Sequence, residues 1–321
     1  MGVKGEAAER KATSAFKTGW SPAFHFAPRD TGESFAEAQL RHEHALATHL
    51  QLPEDGLLLD LGCGICAPAI RFARFLRTCR IVAVNKQLHQ VEEARNCVEQ
   101  VGLQDRIAVH HGDMCDLSFV EDGTVDGVIS LESVYELPFA QKRKLLAEIR
   151  RVLRPQGRLV VCDWLLLPQQ NEFASSPGGR RKTMQLPMLR IPPLIHAFDL
   201  IDLVRASGLT IDTHYDMGNF GDMPWYSSLD RRLRCCGGWD AETWLHSRTT
   251  LDSLAFVVRT LRTFRLISQS AKHNFEQLVR MRDTLVRAGK AGLMSPCYLI
   301  VAHRSALSET RPFESMSLPE L

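Results

Sequence analysis

The sequence predicts an α/β protein with a doubly wound, mostly parallel sheet of seven strands, and three observations carry that expectation. Short apolar runs alternate with helical patterns from residue 57 to residue 215. A glycine turn, Asp60-Leu61-Gly62-Cys63-Gly64, follows the first apolar run at once. Polar side chains then stand at the ends of the next three runs, where doubly wound sheets take their ligands.

Taken in order, residues 1–19 are polar and rich in small side chains, and read as a frayed leader. Residues 20–56 form an N-terminal aromatic and helical segment. Within it, Phe35, Ala38, Leu40, Ala45, Leu46 and Leu50 recur at largely helical spacing between Gly32 and Pro53, which predicts one or two helices. The ligand-binding core spans 57–167. Its strands are expected at 57–61, 81–84, 107–110, 125–130 and 158–164, and its helices at 67–76, 87–101 and 141–153. Strands this short, joined by helices, require right-handed crossovers and so a parallel sheet.

After Trp164 the pattern breaks into a Pro- and Gly-rich stretch whose basic cluster, Arg180-Arg181-Lys182, reads as a solvated loop tip with contact to anionic lipid as the alternative. The region 168–304 resumes with a helix at 195–207 and a strand at 209–215. It reads as mostly helical over 230–290 and closes with a strand at 297–302, ahead of a flexible tail at 305–321.

A chain of 321 residues, 45% hydrophobic and 24% charged, has material for one large core or two smaller ones. A formal net charge of +2 supplies no field that would draw nucleic acid, so none is expected as a partner. No run approaches the ~20 apolar residues of a membrane span. Nine cysteines scattered through apolar segments read as reduced, buried thiols, and the expected location is cytoplasmic.

The glycine turn places bare backbone where a ligand must approach, and the helix that follows offers unpaired N–H groups. Asp60 ends the first strand, Asn85 ends the second where a ribose needs a polar partner, and Asp113, with Met114 beside it, follows the third where a carboxylate accepts from an adenine amino group. Glu132 follows the fourth. A nicotinamide or flavin dinucleotide site is the competing reading. It would want a third glycine near Cys66 and an acid at position 85, so the set favours S-adenosylmethionine. Cys63 and Cys66 also have the spacing of a redox or zinc pair, but no second pair accompanies them and no metal is expected.

At this point the sequence resembles a known family, the sterol C-24 methyltransferases. Trp20, Ser21, Phe24-His25-Phe26, Gly32-Glu33-Ser34-Phe35 and Arg41-His42-Glu43-His44 resemble its aromatic segment and the helix after it. Asp60 to Gly64, Pro68 and Ala73-Arg74-Phe75 resemble its cofactor loop and first helix. Asn85 with Gln90 resembles its second-strand turn, and Glu132, Arg151 to Pro155, Gly157 and Trp164 follow its core. Pro224-Trp225-Tyr226, Pro296 and 298–301 resemble its carboxy-terminal part, so the likeness runs from about residue 20 to about 304. The chain departs from the family at Cys66 and Ala67, where glycines are usual, ahead of Trp20, and between Trp164 and Ile195. At Cys66 and Ala67 the added side chains are expected to press toward the ligand.

The resemblance implies a Rossmann-like methyltransferase fold and transfer of a methyl group from S-adenosylmethionine to the side-chain alkene of a sterol or related triterpenoid. Asp60, Gly62, Cys63, Gly64, Asn85, Gln90, Asp113, Met114 and Glu132 are then the candidate cofactor residues. A carbocation left on the acceptor suits an aromatic cage, for which Trp20, Phe24, Phe26, Tyr135, Trp225 and Tyr226 are candidates. His42, Glu132 and His25 are the candidate bases. Peripheral contact with the endoplasmic reticulum membrane and a homo-oligomer are also implied. The rival readings are a methyltransferase for a prenylated phenol, an alkaloid amine or a phosphobase, and a degenerate paralogue that binds without turnover.

Overall fold

The computed structural model describes residues 25–168, 183–186, 191–230 and 269–306. Trp20, Phe24, the leader, the basic cluster at 180–182, the segment 231–268 and all of the tail beyond residue 306 lie outside the described residues.

The first helix among the described residues, α1 (Phe35–Leu50), begins where Ser34 accepts from the Glu37 N–H and Glu37 reaches back to the Ser34 N–H, a reciprocal cap that satisfies two otherwise orphaned donors. It ends at Gln51, in the left-handed region, two residues before Pro53. The predicted one or two helices are a single one. Then follow β1 (Leu57–Leu61), α2 (Ala67–Phe75), β2 (Arg80–Asn85), α3 (Leu88–Gln100), β3 (Ile107–His111), β4 (Val125–Leu131), α4 (Phe139–Val152) and β5 (Leu153–Leu166). A single 3-10 turn, Val134–Glu136, bridges β4 and α4. The remainder is α5 (Ala197–Ala206), β6 (Thr210–Asp216), the short α6 (Ser227–Asp230), α7 (Gln269–Lys290) and β7 (Met294–His303).

The seven strands lie in the order β3-β2-β1-β4-β5-β7-β6. Every pairing from β3 to β5 is parallel, and β7 inserts antiparallel between β5 and β6. That arrangement bears out the mostly parallel, doubly wound sheet. The strands run longer than the apolar runs suggest because pairing, not hydrophobicity, sets their ends. Arg80, exposed and polar, joins β2 by pairing with Leu57, and Leu166 extends β5 by pairing with Met294.

Two apolar layers cover the sheet. Leu46 and Leu50 of α1, Phe72 of α2, Ala94 and Val98 of α3 and Leu285 of α7 pack on one face, and Leu145 and Ile149 of α4 with Leu200 and Val204 of α5 on the other. The strand order reverses between β1 and β4, and the carboxyl ends of those strands are where such a sheet opens a crevice.

Candidate active site

The turn after β1 is built from positive-φ backbone: Gly62 at 79°, Gly64 at 55° and Cys66 at 66°. The two glycines are needed for different reasons. A Cβ on Gly62 would lie 2.4 Å from the Ser133 Cβ, so the loop must pass bare against the turn after β4. Among the described residues a Cβ on Gly64 would meet nothing within 4 Å, so that side of the loop is open to them. The chain enters α2 through Cys66, whose side chain makes no cap, and Pro68 sits in the first turn. The first N–H groups of α2 are therefore available to a ligand.

The Cys66 side chain, expected to press toward the ligand, is wholly buried in the apolar layer under α2. The thiol therefore packs against the core rather than over the open side of the turn. The reason is the left-handed backbone, which turns Cβ inward against the core. Cys63 is buried beside it. A hydrogen bond to Cys66, followed by burial, holds the Cys63 thiol far above its ordinary value, which suits a packing role rather than a redox one. Among the described residues no group of three or more His, Cys, Asp or Glu is placed to hold a metal ion.

Asn85 laces the loop to β2. Its Nδ2 donates to the Gly64 carbonyl at 3.0 Å and to Gln90 Oε1 at 2.7 Å, while its Oδ1 accepts from the Gln87 N–H. Asp113 accepts from Lys86 Nζ at 2.8 Å and from the Cys115 N–H at 2.9 Å. Burial pushes the Asp113 carboxyl up, but Lys86 and Cys115 outweigh it and hold it below its ordinary range. Met114 is half-buried between Asp113 and the core. Asp60 is buried, and Oδ2 has no hydrogen-bond partner among the described residues. Burial first, and then the nearby Glu43 carboxylate, raise its pKa to about 7.

Glu132 occupies the left-handed region at φ 48°, uncommon for a side chain of its size. Its Oε1 accepts from the Phe26 N–H and its Oε2 from the Trp164 indole N–H, both at 2.6 Å. Burial holds its carboxyl well above the usual range, against the pull of these two donors. The next residue, Ser133, donates to the Leu61 carbonyl at 2.9 Å and is the group that Gly62 passes. Two consecutive residues thus join the glycine turn to the aromatic segment.

The rings form a continuous wall. Phe26 lies 5.6 Å from Trp164 and 5.3 Å edge-on from Trp225, Tyr135 stacks on Trp164 at 5.0 Å, and Tyr226 meets Trp225 edge-on at 5.6 Å. Four of the six predicted cage residues are therefore brought together, and Trp20 and Phe24 lie outside the described residues. Trp164, not among the predicted cage residues, bridges Tyr135 and Phe26 in the row of rings. The strand-end rule that singled out Asp60 and Asn85 applies to it equally, since it sits near the carboxyl end of β5.

His25 and His42 are both buried, with ring centres 5.9 Å apart. His25 Nε2 lies 2.7 Å from Glu43 Oε1, which also accepts from Arg71 at 2.7 Å. His42 Nε2 lies 3.5 Å from the Cys162 thiol. Burial first, then the His25 and Arg41 charges, lower its pKa to about 3, so the imidazole is neutral and a weak proton acceptor. His44, two residues on, stacks on Phe75 at the surface, as the helical spacing requires.

A glycine turn with open space over Gly64, an uncapped helix N-terminus and a carboxylate after β3, set on this sheet order, define an S-adenosylmethionine-dependent methyltransferase. Residues 58–157 match a methyltransferase-domain family and residues 242–304 the sterol methyltransferase C-terminal family. Over 306 residues the chain is 30% identical to a sterol 24-C-methyltransferase of Gibberella zeae, covering 92% of this chain and 77% of that one. The chain belongs to the sterol 24-C-methyltransferase family. The enzyme of the same name from Saccharomyces cerevisiae is 27% identical over 93% of this chain and 77% of its own. Among solved structures, a cyclopropane synthase from Mycobacterium tuberculosis superposes with a TM-score of 0.63 at 17% identity, over 89% of this chain and 93% of that one. A geranyl diphosphate C-methyltransferase from Streptomyces coelicolor, in complex with S-adenosyl-L-homocysteine, gives 0.58 at 15% identity, over 87% and 91%. These two show the shared fold. No helix among the described residues is long and apolar enough to cross a membrane.

Proposed function

We propose that the protein methylates the side-chain alkene at C-24 of a sterol or related triterpenoid, leaving a carbocation on the acceptor that then loses a proton. The observation that carries this reading is the coupling of the glycine turn to the aromatic wall through Glu132 and Ser133. When bound, S-adenosylmethionine supplies an electrophilic methyl group. Gly62, Gly64 and the first turn of α2 hold it, with Asp113 toward the adenine and Gln90, steered by Asn85, toward the ribose.

The remaining work of the chain is positioning, exclusion of water and removal of one proton. Phe26, Tyr135, Trp164, Trp225 and Tyr226 present π faces that stabilise a cation without forming a bond to it, and each ring facing a cation contributes about 0.5–2 kcal/mol. Glu132 is the candidate base in contact with that wall. Two N–H donors at 2.6 Å favour its ionised form while burial, the larger effect, opposes it, so a carboxylate held there takes up a proton more readily than an exposed one. His42, at about 3, is the weaker choice. His25 is engaged on both nitrogens. A membrane-resident acceptor favours peripheral work at the endoplasmic reticulum surface, and a homo-oligomer is part of the same family-based reading.

Incubation with methyl-labelled cofactor and a panel of Δ24 sterols tests the proposal. Label in a C-24 alkylated sterol is the expected result. Label in a phenol, an amine or a phosphobase, or none in any product while S-adenosylhomocysteine binds, would overturn it.

A further inference from the structure

Two buried charged residues that the reading above leaves without a role, Asp163 and Lys142, lie behind the aromatic wall. Asp163 is fully buried on β5, and Lys142 on α4 is 2% exposed. Asp163 Oδ2 accepts from the Tyr135 N–H at 3.1 Å and its Oδ1 from the Trp164 N–H at 2.7 Å. Tyr135 and Trp164 are the two stacked rings of the wall. One carboxylate therefore holds the backbone of both partners of a single stack. Lys142 Nζ donates to the Tyr135 carbonyl at 3.3 Å and also to the Leu137 carbonyl. The 3-10 turn that carries Tyr135 is thus gripped on its N–H side by Asp163 and on its carbonyl side by Lys142.

The pairing of β5 with β7 slips between Asp163 and Leu165, and the slip falls at Trp164. A bulge of this kind re-aims a side chain. Burying two charges is costly, and apolar packing alone would cover the sheet at lower cost, so a buried pair of this kind is expected where it fixes a geometry. Their charges face each other without a direct ion pair, each favouring the ionised form of the other.

We propose that Asp163 and Lys142 are positioning residues, which hold the Tyr135 ring flat on Trp164 and so set the face of the wall offered to the acceptor. The inference rests on the reading of that wall as the acceptor's surface. It concerns two buried residues whose side chains bond the backbone of Tyr135, Trp164 and Leu137, so they are expected to act through the placement of the two rings.

The test uses the full chain. In K142M, kcat per S-adenosylhomocysteine-binding site is expected to fall about tenfold or more, because sub-ångström misplacement of a positioning group is costly. The Kd for S-adenosylhomocysteine stays within about twofold of the parent, and K142R restores most of the rate. D163N is expected to behave like K142M. The near-UV circular dichroism contribution of Trp164, taken as the difference between each background and its W164F derivative, should shrink in K142M, a signature that a general loss of stability with intact stacking would not give. If W164A and Y135A leave kcat unchanged, the acceptor-surface reading falls. If those two lose rate while K142M keeps both its rate and its Trp164 signal, the positioning inference alone is overturned. Should D163N fail to fold, K142M and K142R still decide the matter.

Discussion

The glycine turn and the aromatic wall are neighbours joined by Glu132 and Ser133, yet they are made in opposite ways. The turn comes from seven consecutive residues, Asp60 to Cys66, and its shape is a matter of local backbone conformation. The wall gathers Phe26, Tyr135, Trp164, Trp225 and Tyr226 from segments as far apart as 200 positions in sequence, 226 − 26. The difference is instructive: on the proposed reading the cofactor would be held largely by local backbone, and the acceptor by side chains that only the finished fold assembles.

The sharpest way to break the turn is Gly62→Ala. A Cβ 2.4 Å from the Ser133 Cβ at φ 79° adds overpacking to backbone strain, an expected loss of about 2–5 kcal/mol in urea unfolding together with loss of S-adenosylhomocysteine binding. Gly64→Ala, with no atom within 4 Å of the new methyl, should cost only about 1–2 kcal/mol of stability while weakening cofactor affinity measured by calorimetry. Equal losses in the two variants would show that Gly64 does not face the ligand.

Glu132→Gln probes the joint between the two regions. An amide offers one acceptor where the carboxylate offers two, so either the Phe26 N–H or the Trp164 indole faces a donor, at about 1–3 kcal/mol. Chemical denaturation should show that loss, with a shift in tryptophan emission. Unchanged stability and emission would mean that the strap is dispensable.

The pH dependence of stability separates the turn from His42. Asp60 has a folded value of about 7 against 3.8 unfolded, so the native state holds the extra proton between those values and stability falls as pH rises from about 4 to 7. Asp163, also at about 7, pulls the same way. His42, at about 3 against 6.5, binds fewer protons when folded, so its contribution rises from about pH 3 to 6.5. Thermal melts should show a flatter decline in Asp60→Asn and a steeper one in His42→Gln. Parallel curves in all three proteins would refute the assignment.

The smallest effect is expected from Cys66→Gly. Relief of left-handed strain offsets the loss of a small buried side chain, so the melting temperature should move by only a few degrees and cofactor affinity should hold. A marked gain in affinity would return Cys66 to the cradle.

Much of this protein was legible in the order of its residues. The strand and helix alternation fixed the sheet class because side-chain periodicity reports which face of an element is buried. The turn at Asp60 to Gly64 was legible because glycine is the residue that tolerates positive φ, and the strand-end rule led on to Asn85, Asp113 and Glu132. What the order of residues did not disclose is which polar groups meet. Nothing in the order of residues shows that Asn85, read as a ribose ligand, also laces Gly64 to Gln90 or that Trp164 bridges Tyr135 and Phe26, and Asp163 and Lys142 carry no motif at all. A hydrogen bond between residues 106 apart, as from Phe26 to Glu132, leaves no periodic trace in the chain. Local conformational preference acts between neighbours and can be read along the sequence, whereas the partners of a buried charge are chosen only when packing has excluded water from around it.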